Sequence, residues 1–111
     1  MNNFERLWKY KSYYNSENQK VPRGMPEIVV YAVVKEDVEM RVWNGHGHKL
    51  KNLPEFSNHM CKMGTKVRVW MVSRFGDCGI TDNLENPYGY DARVDSEILK
   101  DLDFGEEETN D

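Results

Sequence analysis

The sequence predicts a mainly β protein with short helices: a single small barrel of about five strands, an N-terminal helix and a disordered acidic C-terminal tail. Three observations support this fold class. Residues 64–95 alternate apolar and polar positions in three runs separated by two turns, as expected of a β-meander. Residues 27–43 hold two further strand-like runs. A chain of 111 residues is long enough to bury one core without metals or disulfides. We therefore predict one domain over residues 1–104 and a tail over residues 105–111.

The first part of the chain contains a helix, a linker and two strands. Residues 2–14 place apolar and aromatic side chains on one face of a helix that Asn2 can cap. Residues 15–26 are polar and contain proline and glycine, which predicts a surface linker. Residues 27–35 are apolar in both alternation phases, which indicates a central strand covered on two sides. Residues 38–43 alternate cleanly, and the two runs together predict a β-hairpin.

The rest of the chain adds two short helices around the meander. Residues 44–51 predict a glycine-rich loop, and residues 54–62 predict a short helix that begins with proline. Within the meander, sharp turns are expected at residues 76–79 and 86–87. Residues 96–104 begin with serine and predict a last short helix whose apolar side chains cover one end of the barrel.

The meander resembles KOW-type modules, which are SH3-like barrels. A glycine opens its first strand, valines alternate along that strand, and a Gly-x-x-Gly turn leads into the second strand; the matching residues are Gly64, Val67, Val69, Gly76, Gly79 and Ile80. Residues 90–94 resemble the closing strand of such a barrel. The chain departs from the pattern at residues 72–74, where the family often has a glycine-containing turn, and at residues 83–89, an insertion with its own proline. The likeness covers about a third of the chain.

The resemblance implies binding rather than catalysis. KOW-type and related SH3-like modules occur in ribosomal proteins, transcription elongation factors and phage-encoded transcription modulators. They bind nucleic acid or protein and rarely catalyse a reaction. The fold alone does not decide between these two kinds of partner.

Charge is divided unevenly along the chain. Residues 1–76 hold 13 Lys and Arg against seven Asp and Glu, whereas residues 77–111 hold two against 12. This asymmetry indicates either an interaction surface that the acidic tail shields, or acids collected in a tail for solubility. The chain has no stretch of about 20 apolar residues, the length that a membrane span needs. Residues 1–20 also lack an apolar run, so we expect no signal peptide, a cytoplasmic location and free thiols at Cys61 and Cys78.

A repeated Arg-Val-Trp tripeptide, at residues 41–43 and 68–70, marks the candidate binding face. If the valines point inward, each arginine shares the opposite face with a tryptophan. On neighbouring strands these side chains would form a charged aromatic platform of the kind on which single-stranded nucleic acids stack. Alternatively, the N-terminal helix covers both tryptophans. The candidate nucleic-acid or partner-binding residues are Arg41, Trp43, Lys49, Lys66, Arg68, Trp70 and Arg74.

Metal binding and catalysis are not expected. The zinc-ligand residue types His46, His48, His59, Cys61 and Cys78 match no standard spacing of a structural zinc site, so we predict neither a metal nor another cofactor. A neighbouring Asp77 should raise the pKa of the Cys78 thiol, which disfavours a nucleophile.

Aromatic residues near the predicted turns have two interpretations. Phe75, Tyr88 and Tyr90 either line a pocket for a peptide or methylated side chain, as in related barrels, or fill the core, which we expect here.

We therefore expect a non-enzymatic regulatory module that binds DNA or RNA by charge neutralisation and base stacking. The resemblance implies a transcription-related, virus-encoded setting. The alternative is a protein–protein adaptor or inhibitor that binds a host or partner protein through the Trp/Arg face or through the acidic tail, which would mimic phosphate charge. The acidic segment that could act in this way spans residues 101–111 and includes the tail.

Overall fold

The computed structural model describes residues 2–17, 28–43, 56–86 and 89–105. Within these residues, one α-helix is followed by seven strands and one 3-10 turn. They are α1 (Asn3–Glu17), β1 (Val30–Val34), β2 (Val38–Trp43), β3 (Phe56–Cys61), β4 (Lys66–Val72), β5 (Asp77–Thr81), β6 (Ala92–Asp95), the 3-10 turn (Ser96–Ile98) and β7 (Leu99–Asp103). The mainly β architecture with an N-terminal helix is confirmed. The predicted loop at residues 44–51 and the tail from residue 106 onward lie outside the described residues.

The start of α1 is capped as the sequence predicts. The backbone N–H of Glu5 donates a hydrogen bond to Asn2 Oδ1 at 2.8 Å, which satisfies one of the open donors of the first turn. The helix continues to Glu17 rather than ending near residue 14. Residues 15–17 contain neither glycine nor proline, so nothing local stops the helix where the linker was predicted to begin.

The helix packs against the strand that comes last in the chain. Leu7 and Tyr10 are buried, and the Tyr10 ring meets the Phe104 ring edge-on with centroids 5.1 Å apart. At the start of the helix, Asn3 Nδ2 donates to the carbonyl of Leu99 at 2.6 Å. These contacts join α1 and residues 99–104 to one core. None of the helices in the described part of the chain is long and apolar enough to cross a membrane.

The strands form two sheets rather than a single five-stranded barrel. Five antiparallel strands lie in the order β6-β5-β4-β1-β7, and β2 pairs with β3 in a separate two-stranded sheet. Strand β1 is central, as predicted, because β4 and β7 occupy its two edges. The predicted β1–β2 hairpin is therefore wrong, since no edge of β1 remains for β2. The chain crosses to the second sheet at Asp37, whose carboxylate accepts a hydrogen bond from the N–H of Met63 at 2.8 Å.

Residues 54–62, predicted as a helix, contain strand β3 instead. All six residues of β3 pair with β2, from Val38 opposite Cys61 to Trp43 opposite Phe56. The helix prediction relied on Phe56 and Met60 being four residues apart. A spacing of four places two residues on one face of a strand as well as of a helix, so the pattern did not distinguish the two.

The predicted helix at residues 96–104 is also wrong. The 3-10 turn occupies its first three residues, and β7 follows. Leu99 and Leu102 are both buried although they are three apart, a spacing typical of a helix. A bulge explains this, because β7 carries one residue more than β1 between their paired positions, and Asp101 adopts a positive φ of 52°.

The turn between β4 and β5 lies earlier than residues 76–79. Gly76 has a φ of 96°, and its N–H donates to the carbonyl of Ser73 at 3.2 Å. Ser73 also bonds through its hydroxyl to the carboxylate of Asp77, and that residue already begins β5. Only the first glycine of the predicted Gly-x-x-Gly turn therefore serves the turn. Gly79 lies within the strand.

Candidate binding groove

A groove of about 510 Å³ lies between the β2–β3 sheet and the segment that joins β5 to β6. A volume of this order is typical of small-ligand and peptide-side-chain sites. The lining combines aromatic, charged and amide side chains with one glycine: Arg41, Val42, Trp43, Phe56, His59, Asp82, Asn83, Asn86, Gly89, Tyr90 and Asp91.

Three partly exposed aromatic side chains contribute to the groove. Trp43 is 48% exposed, Phe56 37% and Tyr90 44%. Trp43 and Phe56 occupy directly opposite positions on β2 and β3, so their side chains project from the same face of that sheet. The guanidinium carbon of Arg41 lies 3.9 Å from the centroid of the Phe56 ring. The groove therefore offers large apolar surfaces next to a cation.

Tyr90 is held in place by a close approach to the backbone of β5. A Cβ atom added at Gly79 would lie only 2.4 Å from Cγ of Tyr90 and 2.6 Å from its Cδ1. The ring thus fills the space that a side chain at residue 79 would need. Glycine is required at this position because of the aromatic contact, not because of a turn conformation.

Polar contacts join the two walls of the groove. His59 Nε2 on β3 lies 2.6 Å from Asp82 Oδ2, just after β5. The backbone N–H of Arg41 on β2 donates to the carbonyl of Asp91 at 2.9 Å. The hydroxyl of Thr81 donates to Asp91 Oδ2 at 2.7 Å, which fixes that carboxylate against β5. The groove is therefore a defined junction between the two sheets.

The carboxylate of Asp91 is in an unfavourable environment for its charge. Partial burial raises its pKa, and the nearby charge of Asp82 raises it further, while the hydrogen bonds from Thr81 and Asn86 and the proximity of His59 act in the opposite direction. Two carboxylates thus share one partly desolvated wall. This wall favours positive charge in anything that binds there.

Of the six predicted binding residues that the structure describes, Arg41 and Trp43 line this groove. Lys49 lies outside the described residues. Arg74 is exposed in the β4–β5 turn, with its guanidinium carbon 5.1 Å from the ring centroid of Phe75.

The other three predicted residues lie along β4, in the other sheet. Lys66 Nζ is 5.1 Å from the centroid of the Tyr31 ring, and Arg68 Cζ is 5.3 Å from that of Trp70. Trp70 is only 7% exposed, and its Nε1 has no hydrogen-bond partner among the described residues. Because β2 and β4 do not pair, the two Arg-Val-Trp tripeptides do not form one continuous platform.

The candidate metal ligands and nucleophiles are dispersed. Nowhere in residues 2–17, 28–43, 56–86 and 89–105 do three His, Cys, Asp or Glu side chains come together as a metal site. His46 and His48 lie outside those ranges. Cys61 and Cys78 are buried and free. Burial raises the pKa of both thiols, for Cys78 to about 12, where Asp77 adds to the effect as predicted.

Two aromatic and two acidic residues of the groove are among those that the sequence did not predict to bind a partner: Phe56, Tyr90, Asp82 and Asp91. Phe56 was placed in a helix, and Tyr90 was expected in the core, although it is 44% exposed. Asp82 and Asp91 were counted only as part of the acidic half. The usable signal was the position of Tyr90 and Asp91 soon after the predicted turn at residues 86–87, because binding residues often lie on loops.

Comparisons with models of protein families, with curated proteins and with solved structures return no significant match.

Proposed function

We propose that the protein is a non-enzymatic module that binds an exposed segment of a partner protein in the groove between its two sheets. The observation that carries this proposal is the convergence of Trp43, Phe56 and Tyr90 on one groove with fixed polar walls. Aromatic side chains of this kind are enriched among the residues that dominate binding energy at protein interfaces.

The charges of the groove favour a protein partner over a nucleic acid. Asp82 and Asp91 line it together with a single arginine, Arg41. A phosphate backbone entering the groove would meet two carboxylates, whereas nucleic-acid grooves are lined by Lys and Arg. A polypeptide segment can present apolar and cationic side chains to the same surface.

Binding rather than catalysis is supported by the state of the two thiols. A nucleophilic cysteine needs a lowered pKa, and burial raises the pKa of Cys61 and Cys78. We also propose that the protein functions in the cytoplasm, where reducing conditions keep such thiols free.

We further propose that the domain is an SH3-like module. The strand order β6-β5-β4-β1-β7 supports this proposal, since the last strand of the chain returns to pair with the first. The 3-10 turn lies between β6 and β7, the two edge strands of this order, and so connects one edge of the sheet to the other. The β2–β3 hairpin is then an insertion between β1 and β4, and it forms one wall of the groove.

The test is a pull-down with the tagged full-length protein from cells that express it, after nuclease treatment. We expect one stoichiometric protein partner that is lost with the Trp43→Ala/Tyr90→Ala double variant. Phe75→Ala is the matched control, because Phe75 is 80% exposed but does not line the groove. A set of bound proteins that disappears with nuclease, or that is unaffected by the double variant, would refute the proposal.

Nucleic-acid binding is a second candidate, and it is favoured by the row of cations stacked on aromatic rings along β1 and β4. Lys66 and Arg68 are the cations of this row. If the row binds phosphates, a single-stranded oligonucleotide should bind at low salt, and affinity should fall steeply with added salt. Lys66→Ala and Arg68→Ala should each reduce that salt dependence. Absence of binding at low salt rejects this candidate.

A further inference from the structure

We infer that the groove accepts an extended peptide segment carrying a lysine or arginine side chain, whose charged end lies between the ring of Tyr90 and the carboxylates of Asp82 and Asp91. This inference rests on the proposed function and specifies its partner. It follows from the charge of one wall, from the aromatic surface beside that wall, and from the way both are fixed.

The carboxylate wall is short of positive charge. Asp82 has His59 at 2.6 Å, and Asp91 accepts hydrogen bonds from two neutral donors, the hydroxyl of Thr81 at 2.7 Å and the side-chain amide of Asn86. Burial and the charge of Asp82 both raise the pKa of Asp91, which means that its ionised form is destabilised where it lies. An ammonium or guanidinium group placed beside it would relieve that repulsion. An anionic side chain would increase it.

The adjacent aromatic surface suits the same ligand. Tyr90 precedes Asp91 in sequence, and its ring packs on Gly79 while 44% of the residue stays exposed at the groove. A cation over such a ring is attracted by the negative face of the ring, and the alkyl stem of Lys or Arg packs on apolar surface. Arg41 on Phe56, within the same groove, and Lys66 on Tyr31, in the other sheet, adopt this arrangement.

The site is built before a ligand arrives. The N–H of Arg41 donates to the carbonyl of Asp91, and the hydroxyl of Thr81 holds the carboxylate of the same residue. Asn86 Nδ2 donates to the carbonyl of Gly89 at 3.1 Å and so fixes the chain just before Tyr90. Little ordering is then needed on binding, which favours measurable affinity for a short peptide.

The test is an NMR titration of the full-length, ¹⁵N-labelled protein with four acetylated and amidated heptapeptides of alanine and proline. Their central residue is lysine, arginine, norleucine or glutamate. We expect the lysine and arginine peptides to shift the amide signals of Tyr90 and Asp91 and to bind at least about tenfold more tightly than the norleucine peptide. The glutamate peptide should bind most weakly.

Three variants locate the charge selectivity. Asp91→Asn and Asp82→Asn should each reduce the affinity for the lysine peptide about tenfold and leave the affinity for the norleucine peptide unchanged. In Asp91→Asn, the asparagine keeps an oxygen that can accept the hydrogen bond from Thr81. If Asp91→Asn folds poorly, Asp82→Asn gives an independent measurement. Asp101→Asn is the matched control, because Asp101 is exposed, lies on β7 and has a φ of 52°, which asparagine tolerates.

Two results would overturn the inference, and they have different consequences for the proposed function. If all four peptides shift the groove signals equally, the groove binds peptides without selecting charge, and the proposed function survives. If no peptide shifts these signals at millimolar concentration, the inference fails, and the nuclease-treated pull-down decides the proposed function separately.

Discussion

Substitution of Gly79 by alanine tests how the groove is built. The new Cβ would lie 2.4, 2.6 and 2.9 Å from Cγ, Cδ1 and Cδ2 of Tyr90. Carbon atoms approach one another comfortably at about 3.5–4.0 Å, so the base of the ring must move by roughly 1 Å or more. Because Cγ is the ring atom nearest the backbone, a small rotation of the ring tip does not remove the clash. Either β5 must shift away from Tyr90, or the Tyr90 side chain must leave its position.

Both responses lead to a similar loss of stability. If the ring stays and the strand shifts, overpacking costs about 1–3 kcal/mol. If the ring swings into solvent, it gives up the buried part of its surface, on the order of 100 Å², or about 2.5 kcal/mol. Replacing glycine within a strand regains about 0.5–1 kcal/mol of backbone entropy. We therefore expect Gly79→Ala to lower the free energy of unfolding by about 1–2 kcal/mol.

A double-mutant cycle with Tyr90→Ala isolates this contact. Urea unfolding, followed by tryptophan fluorescence, gives the free energy for the wild type, both single variants and the double variant. In the Tyr90→Ala background the clash is gone, so Gly79→Ala should be neutral or slightly stabilising. The expected coupling energy exceeds about 1 kcal/mol. If Gly79→Ala has the same effect in both backgrounds within about 0.5 kcal/mol, the close contact with Tyr90 is not the reason that position 79 requires glycine.

Three further predictions concern the thiols, an acid and the tryptophans. Since burial raises the pKa of Cys78 to about 12, this thiol should resist alkylation at pH 8 until the protein is unfolded, as mass spectrometry can measure. The pKa of Asp91 is higher in the folded protein than its ordinary value of 3.8. The free energy of unfolding should therefore decrease as the pH rises from about 3.8 through the pKa of the folded state. Asp91→Asn should remove that slope from pH-dependent unfolding curves. Trp70→Ala should destabilise the fold by about 3–5 kcal/mol, whereas Trp43→Ala should cost far less and act on partner binding.

Local sequence patterns predicted the elements whose residues follow a single period. The cap at Asn2, the central strand β1 and the alternation in β2 were all recognised, because side-chain periodicity and capping chemistry are local properties. The errors fall where two structures share one pattern. Leu99 and Leu102 have the spacing of a helix because a bulge between them changes the alternation of side chains in β7. A sequence without its pairing partner does not reveal a bulge.

The groove was harder to predict because its walls come from distant parts of the chain. Trp43 and Phe56 belong to the separate hairpin, and Tyr90 and Asp91 belong to the far end of the meander. The sequence indicated that each segment exists. It did not indicate that β1 pairs with β4 and β7. Because both edges of β1 are occupied, β2 and β3 form a separate sheet, and β2 contacts residue 91.

The two Arg-Val-Trp tripeptides show why the binding face had to be found from the topology. Trp43 ends a strand whose only sheet partner in the described structure is β3, and it stays half exposed beside the groove. Trp70 lies where β4 carries one extra residue relative to β5, between the pairs at Val69 and Met71, and it is buried. Identical local sequences therefore differ in exposure, because Trp70 is covered on the five-stranded sheet, where the guanidinium carbon of Arg68 lies 5.3 Å from its ring centroid. A surface assigned from the repeat alone combines the buried Trp70 with the half-exposed Trp43, and only Trp43 lines the groove.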